Sequence, residues 1–129
     1  MIKHGILNPQ LLALLARVRH TNALVIADRG FPSWPMIETV DLSVVDDLPT
    51  VLQLIAAVRA NHQFTQAFQA TEFLENNPAA VREKFAAALA GVPLVFEPHV
   101  AFKQRVPHAI GLIRTGDTTP YANTILISG

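Results

Sequence analysis

The run Ala23–Ala27 (Ala-Leu-Val-Ile-Ala) contains only apolar residues and is bounded by polar residues on both sides. An amphipathic strand would alternate apolar and polar residues, so an unbroken apolar run of this length is typical of a β-strand covered on both faces. Such strands occur in α/β proteins, in which helices cover both faces of the sheet. The run therefore predicts an α/β fold with a central, mostly parallel sheet flanked by helices.

Two groups with acid–base chemistry lie at opposite ends of this strand. His20 precedes it, and Asp28 and Gly30 follow it. In open α/β sheets, ligands bind beyond the carboxyl ends of the strands, which is where Asp28 and Gly30 lie. A strand rises about 3.3 Å per residue, so roughly 16 Å separates the two ends. We therefore expect His20 and Asp28 to act on one substrate only if a second subunit brings them together.

The composition predicts one domain that associates with copies of itself. The chain has 129 residues, which fits a single compact domain over residues 1–129. Only 16% of the residues are charged, against a typical value of about 25%. Because so few charges cannot cover a small surface in the usual way, we expect a homo-oligomer. The alternative is a monomer with a polar but uncharged surface.

The charge balance and the absence of cysteine exclude several partners and sites. Ten basic and ten acidic residues cancel and form no basic stripe, which argues against nucleic acid as a partner. Without cysteine there is no disulfide and no thiolate zinc site, which is compatible with a cytoplasmic protein. No segment is long enough to span a membrane, and residues 11–15 are predicted to form an amphipathic helix rather than a signal peptide.

Helical and strand patterns alternate along the chain. Predicted helices begin at Asn8-Pro9, at Asp46-Asp47-Leu48-Pro49 and at Asn77-Pro78, and a shorter helix covers residues 100–105. Besides the first strand, predicted strands cover residues 39–42, 92–96, 109–114 and 124–128. Residues 64–73 are ambiguous, and we favour a strand followed by a helical turn. The polar segment 115–123 predicts that the two strands it joins are neighbours.

Two residues beside the first strand are candidates for catalysis or binding. His20 can give and take a proton near neutrality, because its unperturbed pKa is about 6.5. The alternative is a histidine that lies at the surface or caps the preceding helix. Asp28 can accept hydrogen bonds from sugar hydroxyls or orient an imidazole, but it can equally cap the following turn.

The second half of the chain supplies further candidates. His99 and Lys103 are four residues apart and would share one face of a helical turn, and Tyr121 and Asn123 offer a phenol and an amide beside a strand. No GxGxxG, Walker A or GxSxG motif is present, and no third metal ligand accompanies these groups. We therefore expect no cofactor and no metal, which leaves proton transfer on a small polar molecule.

Six segments spread over nearly the whole chain carry a family resemblance: Gly5-Ile6-Leu7-Asn8, His20-Thr21, Asp28-Arg29-Gly30-Phe31-Pro32, His99 with Phe102-Lys103, Ile113-Arg114-Thr115-Gly116 and Pro120-Tyr121-Ala122-Asn123. In this order and at these separations, the segments resemble the ribose pyranase and fucose mutarotase family, and within it the D-ribose pyranase branch. Each segment is weak alone, but the combination is specific.

The resemblance implies an isomerase that interconverts ring forms of a free monosaccharide without cofactor or metal. In the pyranase branch, the reaction converts β-pyranose to β-furanose D-ribose, which a ribokinase then uses. By this resemblance His20 is the expected proton donor. The expected sugar-binding residues are Asp28, His99, Lys103, Tyr121, Ala122 and Asn123.

The resemblance also implies a decameric ring of compact α/β domains with sites between subunits, which agrees with the separation of His20 and Asp28. The bulky segment Phe31-Pro32-Ser33-Trp34-Pro35 leaves an L-fucose-type mutarotase open. Ala122 favours ribose, because the fucose branch usually has glycine there. Outside the enzymes, the alternative is a sugar-binding or regulatory module that does not catalyse a reaction.

Self-association gives the first testable prediction. Size-exclusion chromatography with light scattering is expected to report a mass several times the 14.1 kDa of one chain. A monomer in solution would contradict the proposed sharing of His20 and Asp28 between subunits.

Overall fold

Six strands form one sheet in the computed structural model, which describes residues 1–129. The strands are β1 (Ala23–Ala27), β2 (Glu38–Asp41), β3 (Phe64–Ala70), β4 (Leu94–Glu97), β5 (Gly111–Arg114) and β6 (Thr124–Ser128). The helices are α1 (Pro9–Arg17), α2 (Val51–Arg59), α3 (Thr71–Asn76), α4 (Ala79–Ala88) and α5 (His99–Arg105), and a 3₁₀ turn covers Val106–His108. The ambiguous residues 64–73 form a strand followed by the start of a helix, which confirms the favoured interpretation.

The strand order is β2-β5-β1-β6-β3-β4. Only β6 runs antiparallel to its neighbours, β1 and β3, and the other pairings are parallel. The predicted mostly parallel α/β sheet is therefore confirmed. The prediction that β5 and β6 are neighbours is wrong, because β1 lies between them. The segment that joins them crosses the carboxyl end of β1, where the N–H and hydroxyl of Thr115 both donate to Ala27 O, at 2.9 and 2.8 Å.

The sheet separates a larger and a smaller hydrophobic core. Leu24 and Ile26 of β1 lie in the larger core with α1, α2 and α4, whereas Val25 and Ala27 lie in the smaller core with Phe102 of α5. These four of the five β1 residues are completely inaccessible to solvent. A fully buried Leu, Ile or Val contributes about 1.5–3 kcal/mol of hydrophobic stabilisation. Burial on both faces is the reason why this strand contains no polar residue.

An Asn-Pro pair precedes both α1 and α4, but it has a different structural role in each. For α1 the prediction is confirmed, since the Asn8 side chain accepts a hydrogen bond from Leu11 N at 2.9 Å. For α4 the helix follows Pro78 as predicted, but Asn77 does not cap it. The Asn77 amide instead donates to Phe73 O and Pro120 O, both at 2.9 Å, because it connects the end of α3 to the segment before β6.

The predicted start of α2 at residues 46–49 is wrong. The helix is capped by Thr50, whose hydroxyl accepts from Gln53 N at 3.2 Å while the Gln53 side chain accepts from Thr50 N at 2.9 Å. This reciprocal capping box satisfies two N–H groups at the helix start. Asp47 has another role, since its carboxylate accepts hydrogen bonds from the N–H and hydroxyl of Thr118, both at 2.8 Å.

The segment after β5 is buried and packs closely against the backbone of Val45 and Leu48. A Cβ added at Gly116 would lie 2.2 Å from Val45 O, so no larger residue fits there without a backbone shift. The next residue, Asp117, is 3% exposed. Its carboxylate accepts from Val51 N at 2.8 Å and from Thr119 N at 2.7 Å. Asp117 therefore joins the crossing segment to the start of α2.

Asp117→Ala is expected to lower the free energy of unfolding by about 1–3 kcal/mol, because a buried backbone N–H loses its acceptor. The matched control is Asp46→Ala, which removes an exposed carboxylate paired with Arg29 at 2.7 Å and should cost less than about 1 kcal/mol. Urea denaturation measures both. Equal effects of the two substitutions would contradict the structural role of Asp117.

Candidate active site

A cleft of about 260 Å³ opens at the carboxyl end of β1. Since β6 runs antiparallel to β1, residues that follow β1 meet residues that precede β6 at this edge of the sheet. The residues that line the cleft are Asp28, Gly30, Phe31, Pro32, His99, Tyr121 and Asn123. The structure thus brings together four predicted site residues that are distant in sequence.

Asp28 and Asn123 are joined by a pair of hydrogen bonds. The Asn123 side chain accepts from Asp28 N at 2.7 Å and donates to the Asp28 carboxylate at 3.2 Å, and Gly30 N donates to the same carboxylate at 2.9 Å. Burial raises the pKa of Asp28 above its ordinary value, although the hydrogen bonds from Gly30 and Asn123 act in the opposite direction. This pair presents a carboxylate and an amide to the cleft in fixed positions.

His99 is surrounded by aromatic rings. Its ring centroid is 5.1 Å from that of Tyr121 in an edge-on arrangement, 6.2 Å from Phe31, and 6.0 Å from Phe102, on which it stacks. Burial, followed by the positive charge of Lys103, lowers the pKa of His99. Both effects favour the neutral imidazole over the imidazolium. The buried Nδ1 of His99 has no hydrogen-bond partner.

The remaining predicted binding residues are placed differently. Tyr121 lines the cleft from the turn before β6, with a φ of 55° in the left-handed region. Lys103 lies one turn beyond His99 on α5 and is not among the lining residues. Ala122 is completely buried in the larger core and does not line the cleft either.

Arg114 supports one wall of the cleft, and the sequence reasoning did not identify it as a site residue. Its guanidinium is largely buried and donates to the carbonyl of Phe31 at 2.6 Å, with longer contacts to Arg29 O at 3.3 Å and Pro32 O at 3.4 Å. One feature of the sequence could have indicated this role: Arg114 is a charged residue at the carboxyl end of β5, whose other residues are apolar. Arg114 holds the loop that carries Asp28 and Phe31.

His20 lies at the opposite end of β1, as the length of the strand predicts. It is exposed, and its Nδ1 is 2.6 Å from Gly129 O. A second cleft surrounds it, lined by Val18, Arg19, His20, Asn61, His62, Gln63, Ser128 and Gly129. Within one chain, His20 and the Asp28 cleft are therefore separate. No group of three or more His, Asp or Glu residues could hold a metal ion.

The whole chain, residues 1–129, matches the model of the RbsD / FucU transport protein family. The chain belongs to this family. Relatives within the family include the D-ribose pyranase of Chromobacterium violaceum, 43% identical over 100% of this chain and 98% of the relative. The D-ribose pyranase of Geobacillus kaustophilus is 42% identical over 100% of this chain and 94% of the relative.

Two solved structures have the same fold as this chain. Bacillus subtilis RbsD complexed with D-ribose superposes with a TM-score of 0.92 at 33% identity, covering 100% of this chain and 98% of the other. The fucose mutarotase of Streptococcus pneumoniae in complex with L-fucose superposes with a TM-score of 0.83, over 99% and 98% of the two chains; at 19% identity it supports the fold alone. None of the helices in this chain has the length and apolar character needed to span a membrane.

Asn123→Leu is expected to raise the pKa of Asp28 further in this RbsD / FucU protein. Leucine is close to asparagine in size and preserves burial, but it removes the donor that favours the ionised carboxylate. Carbon-13 NMR titration of the aspartate carboxyl groups measures the shift. Asp41 is the internal control, because its pKa is lowered by hydrogen bonds from Ser43 and should not change. An unchanged or lowered pKa of Asp28 would disprove the role of this hydrogen bond.

Proposed function

We propose that this chain converts β-pyranose to β-furanose D-ribose by acid–base ring opening and reclosure, without a cofactor, at a site between subunits. The observation that carries the proposal is the convergence of Asp28, His99, Tyr121 and Asn123 on one cleft. A carboxylate, a neutral imidazole, a phenol and an amide together can accept and donate the hydrogen bonds that sugar hydroxyls require.

The named relatives support the enzyme class. Relatives at about 40% identity over the full chain are named D-ribose pyranase, so the expectation of an isomerase acting on sugar ring forms is confirmed. D-Ribose is favoured over L-fucose because the structural neighbour complexed with D-ribose is 33% identical, against 19% for the neighbour complexed with L-fucose.

The reaction requires two proton movements on a cyclic hemiacetal. The anomeric hydroxyl loses its proton, the bond between the anomeric carbon and the ring oxygen breaks, and the ring oxygen gains a proton. The open-chain aldehyde then closes through a different hydroxyl, with the proton movements reversed. Positioned acid–base groups accelerate such steps by about 10²–10⁴-fold.

The roles of the residues follow from their chemistry and positions. Asp28, Tyr121 and Asn123 hold the sugar hydroxyls, and Lys103 acts on the site through its charge beside His99. The neutral His99 can accept a hydrogen bond from the anomeric hydroxyl, because its pKa is lowered. Ala122 lies between Tyr121 and Asn123 and is completely buried in the larger core, so its contribution is to pack the segment that carries these two residues.

The proton donor, His20, comes from a second copy of the chain. The supporting observation is that His20 and the Asp28 cleft lie at opposite ends of β1 and line different clefts. A homodecamer, as the family resemblance implies, would pair one copy's His20 with its neighbour's Asp28. A cytoplasmic location belongs to the same proposal, because the product would be the substrate of a ribokinase.

His20→Ala is expected to reduce pyranose–furanose exchange of D-ribose by about 10²–10⁴-fold, since the acid that protonates the ring oxygen is lost. NMR saturation transfer between the anomer signals measures the exchange, and a ribose titration should show that binding is largely retained. His108→Ala, at an exposed histidine outside both clefts, is the control.

Three results would overturn the proposal. If wild-type protein accelerates exchange only for L-fucose, the sugar is wrong. If it binds ribose without accelerating any exchange, the chain is a sugar-binding module. If His20→Ala and His108→Ala have equal activity, His20 is not the proton donor.

A further inference from the structure

Glu72 contacts His99 from outside the cleft. It lies in the first turn of α3, directly after β3, and is only partly exposed. Both of its carboxylate oxygens are 3.1 Å from His99 N, so the backbone N–H of His99 donates to the carboxylate as a whole. Glu72 does not line the cleft, and no sequence signal pointed to it.

This contact replaces a local helix cap. His99 is the first residue of α5, and its N–H is one of the donors that a helix leaves without an internal partner. The preceding residue, Pro98, has no side-chain acceptor, so α5 has no cap of its own. Because the N–H and the imidazole belong to the same residue, a partner that fixes the position of this N–H also fixes the backbone position from which the imidazole extends.

Glu72 also contributes charge at His99. The groups that face His99 are Lys103 from its own helix, Glu72 from α3, Asp28 from the end of β1 and the ring of Tyr121. Lys103 favours the neutral imidazole, together with burial, whereas the carboxylates of Glu72 and Asp28 favour the protonated form. Glu72 is therefore one of two negative charges that oppose the effect of Lys103.

We propose that Glu72 is a positioning residue for the ring-form isomerisation, and that it holds His99 against the anomeric end of the sugar. This proposal rests on the proposed function for its catalytic consequence. The contact itself does not, because it exists without sugar. Glu72 touches neither the substrate nor the reacting atoms, so it acts only through His99.

The same segment of the chain supports the other side of the cleft. The Gln69 side chain of β3 donates to the Thr124 hydroxyl at 3.1 Å, and this hydroxyl donates to Ala122 O at 3.1 Å. Asn77, after α3, donates to Pro120 O at 2.9 Å. Gln69, Glu72 and Asn77 thus hold both the His99 side and the Tyr121 side of the cleft, and Glu72 is the only charged residue of the three.

Glu72→Gln is the informative substitution, with Glu75→Gln as the matched control. Glutamine has the shape of glutamate but keeps one acceptor oxygen and lacks the charge. Glu75 lies on the same short helix and is exposed, and its side chain makes no hydrogen bond or ion pair. Both variants lose one negative charge from α3, so a difference between them isolates the contact with His99.

The first readout is nitrogen-15 NMR titration of the His99 ring in protein without sugar. Glu72→Gln should lower the pKa of His99, because a charge that favours the imidazolium is removed, and Glu75→Gln should leave it unchanged. Equal His99 titrations in the two variants would overturn the proposal. This readout needs no turnover, so it decides the Glu72 contact even if the proposed function fails.

The second readout is saturation transfer with D-ribose over a range of concentrations. Glu72→Gln should reduce kcat by about 10–100-fold, the effect of misplacing a group at a reacting centre, and Glu72→Ala should reduce it more because no acceptor remains. Glu75→Gln should stay within about twofold of wild type. Activity of Glu72→Gln equal to that of Glu75→Gln would overturn the positioning role, whereas no exchange by the wild type would overturn the proposed function instead.

Discussion

The position of β1 determines how the rest of the molecule is arranged. It pairs with β5 on one edge and with β6 on the other, and four of its five residues, which point to both faces of the sheet, are completely buried. Only the two ends of such a strand are accessible to solvent. Polar residues that contact a ligand must therefore precede or follow the strand. His20 lies at one end and Asp28 at the other, and this separation is the reason why the proposed function draws the two residues from different copies of the chain.

The cleft at the carboxyl end of β1 depends on polar groups that lie behind it. Arg114 holds the loop after β1 through backbone carbonyls, Glu72 holds the first residue of α5, and Asn77 holds the segment before β6. Buried or partly buried hydrogen bonds of this kind hold a site in place, because losing one leaves an unsatisfied group. The groups that line the cleft are thus fixed by contacts from three separate parts of the chain.

Predictions from the sequence were most accurate where the signal is local. The boundaries of β1 and the Asn8 cap of α1 are confirmed. In both cases the residues that form the structure are adjacent in the chain: an apolar run forms the strand, and Asn8-Pro9 starts the helix. The start of α2 was predicted wrongly, since two aspartates at 46 and 47 imitate a cap whereas Thr50 forms the capping box with Gln53. The family resemblance selected the cleft residues, but it did not indicate that Arg114 and Glu72 support them.

The sequence by itself determined that β1 is buried on both faces, that helices flank a mostly parallel sheet, and that His20 and Asp28 are a strand length apart. These properties depend on residues close together in the chain. Only the tertiary structure decided that β1 separates β5 from β6, that Asp28 pairs with Asn123, and that Glu72 reaches His99. Those contacts join residues 27 to 95 positions apart, and no local pattern of side chains specifies which distant partner a polar group will meet.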